Sequence, residues 1–110
     1  MRRVDSILRQ VIAEEVERLK DPRLGLCSIT GVETAPNLRT AVVYFSTLDL
    51  EDAERTRQAL ESAAPRLRRA IGAQVRMKYV PALTFELDRG VATGERIEAI
   101  LRRISRGDET

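Results

Sequence analysis

The chain has 110 residues, with 19 lysines and arginines against 17 carboxylates and a formal net charge of +2, the size and balance of one small domain that builds its own core. It has no histidine and one cysteine, Cys27, which excludes an internal disulfide, histidine general bases, Cys-His and Ser-His nucleophile pairs and nearly all zinc sites. Its apolar runs are far shorter than a membrane span and none follows the N-terminal arginines, so a soluble, cytoplasmic protein without a secretory signal is expected.

Residues 2–20 place Val4, Ile7, Leu8, Val11, Ile12, Val16 and Leu19 at helical intervals, the apolar stripe of an amphipathic helix packed on a sheet. Asp21-Pro22-Arg23-Leu24-Gly25 ends it, because the residue before a proline avoids helical angles and Gly25 permits a turn. Residues 26–34 read as a strand with Cys27 and Ile29 on one face. Val32 falls out of phase after Gly31, which predicts a bulge there. Ala35-Pro36-Asn37-Leu38 is turn chemistry, so residues 39–47 are expected to return antiparallel with Ala41, Val43 and Phe45 facing the core and Thr40, Val42 and Tyr44 outward.

Asp49 is placed to cap a helix whose first turn carries Glu51 and Asp52, with Ala53, Leu60 and Ala64 on its apolar face. Pro65 is expected to break that helix and start a second one, in which Leu67, Ala70 and Ile71 cluster and Arg66, Arg68 and Arg69 fan toward solvent. From Val75 to Asp88 the apolar residues Val75, Met77, Tyr79, Leu83, Phe85 and Leu87 alternate with polar ones, predicting one long strand buried on one face. Pro81 within it is expected at a bend or on an unpaired side. A last helix from Thr93 or Gly94 would carry Ile97, Ile100, Leu101 and Ile104, with a short polar tail at residues 107–110. The expected fold is one α+β domain over residues 1–106. It has helices on one face of a three-stranded sheet, in the order helix, strand, strand, helix, corner, helix, strand, helix, which is that of a type II KH domain.

The clearest electrostatic signal is Arg66, Arg68, Arg69, Arg76 and Lys78, five cations in a stretch without an acid, which attracts phosphate whatever the net charge. Such a run is also what a solvated helix face looks like. Arg2 and Arg3 extend the patch, although Asp5, Glu14, Glu15 and Glu17 on the same helix make simple solvation an equal reading. Arg102, Arg103 and Arg106 suit a helix C-terminus. Tyr44 reads either as a stacking platform for an unpaired base or as an ordinary strand residue, and Cys27 as a small core residue. Asp49, Glu51, Asp52 and Glu54 lack the spacing of a calcium loop, and Gly90 and Gly94 do not make a phosphate loop, so no metal or cofactor is expected.

Several short motifs occur in a telling order: Asp21-Pro22-Arg23-Leu24-Gly25, Ser28-Ile29-Thr30-Gly31-Val32-Glu33, Ala41-Val42-Val43-Tyr44, and the run from Val80-Pro81 to Leu87-Asp88. Across residues 2–104 the chain resembles the bacterial ribosome-binding factor A family. The resemblance implies a KH-like domain that binds the immature small (30S) ribosomal subunit and its 16S rRNA, supports late maturation of that RNA, is linked to growth in the cold and partners an assembly GTPase. It also places an alanine-any residue-glycine corner on Ala63-Ala64-Pro65, where this chain has proline for glycine. The corner and Arg66, Arg68, Arg69, Arg76, Lys78, Arg2 and Arg3 are therefore the expected RNA-binding residues, on a non-enzymatic protein that is monomeric when free. The competing expectation is a protein-binding adaptor that uses a strand edge or the C-terminal helix. A small hydrolase working with arginines, carboxylates and backbone alone ranks last.

Overall fold

Helix α1, Arg3–Arg18, forms along the predicted stripe, and Leu8, Val11, Ile12 and Val16 are buried on it. The computed structural model of the protein describes residues 3–89. The periodicity misplaces one position. Ile7 is 40% exposed, while Asp5 is buried because its carboxylate accepts from the Thr34 backbone N–H at 3.2 Å and from Thr34 Oγ1 at 2.7 Å. A buried carboxylate is tolerable only with such partners.

After α1, the chain turns through Gly25, whose φ of +50° favours glycine, and enters β1, Cys27–Thr34. The bulge lies where the sequence puts it: Ile29 pairs with Phe45, but Gly31 pairs with Tyr44, leaving Thr30 as the extra residue. That slip moves the buried face from Ile29 to Val32 and Thr34, so both halves of β1 point apolar side chains at the helices. Strand β2, Thr40–Thr47, returns antiparallel with Ala41, Val43 and Phe45 buried. The turn between them is held by Asn37 Oδ1, which accepts from Arg39 N at 3.0 Å, and it puts Leu38 at φ 62°, a left-handed conformation that leucine rarely adopts.

Asp49 caps the next element as expected, accepting from Glu51 N at 3.0 Å across a 3-10 turn, Leu50–Asp52. Helix α2 then runs from Ala53 to Gln74 without interruption. The break expected at Pro65 is not realised. Proline removes one N–H that would bond Glu61, yet Leu60 before it and Leu67 and Ile71 after it are all fully buried, so packing keeps both halves helical over one core.

The long strand is shorter than its alternation predicts. Only Ala82–Leu87 forms β3, and residues 75–81 cross from α2 without pairing in the sheet. Pro81, fully buried, sets the start of β3, because pairing begins one residue later with Ala82 N donating to Arg39 O at 2.9 Å. β3 lies parallel to β2, with Val43 opposite Phe85, giving the sheet order β1-β2-β3. A parallel pair needs a long crossover, and α2 supplies it. α1 packs mainly on β1 and α2 on β3, and the two helices touch over the buried sheet face. The helix expected from Thr93 or Gly94, its apolar residues, the arginines Arg102, Arg103 and Arg106, and Arg2 lie outside the described residues.

Candidate nucleic-acid interface

The two faces of the sheet differ in charge. The face away from the helices carries Glu33, Glu86 and Asp88 around Tyr44, whose hydroxyl donates to Glu33 Oε1 at 3.1 Å. Burial and then the nearby Glu33, Glu86 and Asp88 push the Tyr44 phenol above its ordinary pKa. An aromatic ring held among carboxylates repels a phosphate backbone, so Tyr44 acts here as a strand residue bonded to its neighbour. Outward acids at alternate strand positions were the signal for this in the sequence.

The cations lie elsewhere, and the structure divides them into two kinds. Arg66 is tied down: its Nε donates to Glu15 Oε2 at 2.7 Å and joins α2 to α1 across 51 residues of sequence. Glu15 also accepts from Arg18 at 3.1 Å, and its side chain is only 12% exposed. The Arg66 guanidinium, chiefly, holds the Glu15 carboxyl below its ordinary pKa. Arg68 is also engaged, donating from Nε to Pro81 O at 3.1 Å and from a terminal nitrogen to Val80 O at 2.9 Å. These bonds fix the path of the unpaired segment into β3 and satisfy carbonyls that no strand partner reaches.

Arg69 and Arg76 are exposed and make no hydrogen bond or ion pair with another described residue. Lys78 is exposed as well and lies 5.5 Å from the Tyr79 ring centroid. Of the expected corner, Ala63 and Ala64 are half-buried against the core and Pro65 is exposed on the outer side of α2.

The structure brings three of the expected residues together. Arg3, Arg76 and Lys78 share the lining of a concavity of about 640 Å³, formed by the first turn of α1, the β1-β2 turn at Asn37 and Leu38, and residues 75–79. No carboxylate is among the described residues that line it. Arg76 and Lys78 therefore stand on a connecting segment, not on the strand face that the alternation predicts. Two contributors were missed from the sequence. Tyr79, expected to be buried, is 44% exposed, and Arg39 lies over its ring at 4.2 Å. Nothing local signals this, because the alternation of residues 75–79 matches that of β3 although only β3 is paired.

Cys27 is half-buried, and burial pushes its thiol up to about 11, which leaves it unreactive near neutrality. Of the carboxylates at residues 49–54, Asp49 caps and Asp52 and Glu54 make i,i+3 pairs with arginines, and no group of metal-ligating side chains occurs among the described residues. No helix among them is long and apolar enough to cross a membrane.

Comparison with known proteins accounts for nearly the whole chain. The family model for ribosome-binding factor A matches residues 1–101. Ribosome-binding factor A of Rubrobacter xylanophilus is 44% identical over 108 residues, covering 97% of this chain and 88% of that protein. The factor from Geotalea uraniireducens is 40% identical and covers 98% and 90%. Among solved structures, the crystal structure of ribosome-binding factor A from Thermus thermophilus superposes with a TM-score of 0.73 at 32% identity, covering 78% of this chain and 92% of that one. A homology model of the Thermus thermophilus factor, fitted into a cryo-EM map of its complex with the 30S subunit, superposes with a TM-score of 0.65 at 32% identity, covering 77% and 91%. With family match, close relatives and fold in agreement, this chain belongs to the ribosome-binding factor A family, a family of ribosome-binding proteins and not of enzymes.

Proposed function

We propose that this protein is an assembly factor that binds the immature 30S subunit through its 16S rRNA and supports late maturation of that RNA, most needed for growth in the cold. The observation that carries the RNA contact is the concavity on which Arg3, Arg76 and Lys78 stand with no carboxylate among its described lining residues, with Arg69 a further exposed cation on α2 that no described carboxylate pairs. Unneutralised cations bind the phosphate backbone by releasing its counterions, whereas Arg66 and Arg68 serve mainly to hold the scaffold. On this reading the domain is KH-like and spans residues 1–106. It uses the surface of α2 around Ala63, Ala64 and Pro65 together with the cations, and Arg2 extends the patch beside Arg3. The protein acts in the cytoplasm, is a monomer when free, partners an assembly GTPase and leaves the subunit once its RNA has matured.

Hydroxyl-radical footprinting of immature 30S subunits tests the contact. The protein is expected to protect a continuous stretch of rRNA backbone, and protection should fade as salt rises. An unchanged cleavage pattern under conditions where the protein co-sediments would mean that protein alone holds it, as in the adaptor reading. Cells lacking the protein are expected to accumulate unprocessed small-subunit RNA, more so at low temperature.

A further inference from the structure

The concavity between α1, the β1-β2 turn and residues 75–79 has features that docking on a phosphate backbone does not use. Its walls are largely apolar, formed by Ile7, Leu38, Val75 and Met77, with Tyr79 beside them and Arg3, Arg76 and Lys78 at the rim. A volume of about 640 Å³ is within the range of about 300 to 1,000 Å³ found for sites that take small organic groups. Ile7 should be buried by its helical phase but is 40% exposed here. Leu38 is held at φ 62°, where leucine is strained, and such strain concentrates at functional positions. The segment carrying Tyr79 is also held in place, by Arg68 bonded to Val80 O and Pro81 O and by Arg39 over the ring.

We propose that this concavity takes one unstacked nucleotide of the small-subunit RNA, its base against Met77, Leu38 and Tyr79 and its phosphate on Arg76, Lys78 and Arg3. The inference rests on the RNA-contact reading above and deepens it. An apolar wall meeting cations with no described carboxylate between them matches the two halves of a nucleotide, a π-face and an anion, and it disfavours a basic peptide. The site is separate from the expected corner, since Val75 lies ten residues beyond Pro65, about 15 Å along the helix. Only an unpaired nucleotide fits, because a base within a duplex offers no free face.

The test places the photoreactive aromatic p-benzoylphenylalanine at position 79 of the full chain and irradiates it with immature 30S subunits. A crosslink to an unpaired rRNA nucleotide is expected, and a crosslink to a ribosomal protein, or none, overturns the proposal. In parallel, Tyr79→Ala keeps every cation. Its affinity for a single-stranded RNA oligonucleotide should fall about fivefold or more, with duplex affinity and salt dependence unchanged. If the parent chain footprints rRNA but Tyr79→Ala binds as tightly as the parent, this inference falls alone. If the parent leaves no footprint, the RNA-contact reading falls with it.

Discussion

Replacing Arg69, Arg76 and Lys78 together by glutamine removes three cations that no described carboxylate neutralises. Each phosphate contact contributes about 0.7 to the slope of log affinity against log salt on single-stranded nucleic acid, so the triple variant should show a slope shallower by about 2. Over a fourfold rise in salt it should lose about 20-fold less affinity than the parent. Fluorescence anisotropy with labelled small-subunit RNA fragments, from about 50 to 200 mM salt, measures this directly. The three side chains are exposed, so the melting temperature should hold within a few degrees. Arg66→Gln and Arg68→Gln are the contrast. The first removes the main partner of Glu15 and the second removes the donors to Val80 O and Pro81 O, so both should lower the melting temperature and change the slope little. A parental slope in the triple variant would refute the reasoning. So would Arg66→Gln and Arg68→Gln flattening the slope while melting unchanged, since that would put the phosphate contacts on the guanidiniums assigned to the scaffold.

Other outcomes follow from particular contacts. Pro65→Ala restores an N–H and good helix propensity at the thirteenth position of a continuous 22-residue helix. Set against the stiffer unfolded chain that proline gives, it should stabilise the fold by about 1 to 2 kcal/mol in urea titration, and destabilisation would show that the backbone there is not ordinary helix. The Glu15 pKa is lowered in the folded state from its ordinary 4.5, so its pairing contributes stability that is present above that value and lost as pH falls through the folded pKa. As pH falls below the ordinary value of 4.5 the parent should therefore lose stability more steeply than Glu15→Gln, and parallel profiles would remove Glu15 from the account of acid sensitivity. With its thiol at about 11 against an ordinary 9.0, Cys27 has about a hundredfold less thiolate at pH 8, and iodoacetamide should label it that much more slowly in the native than in the denatured chain.

What can be read from sequence here is what short range decides. The stripe of Leu8, Val11, Ile12 and Val16, the alternation of Ala41, Val43 and Phe45, the Asp49 cap and the bulge before Gly31 depend on the angle between successive side chains and on residues within a turn of one another. The short motifs also carried the family. Tertiary structure decided where one local preference was set against another. Pro65 is a helix breaker by its own chemistry, yet it sits inside α2 because Leu60, Leu67 and Ile71 bury against the same sheet, and packing outweighs one missing hydrogen bond. Residues 75–79 alternate like a strand but have no pairing partner, since with Ala82 opposite Thr40 they run past the start of β2, where the chain is in the β1-β2 turn. Which cations are free was likewise invisible, because the carboxylate that holds Arg66 lies 51 residues away, and charge in a sequence shows nothing of its neutraliser until the chain has folded.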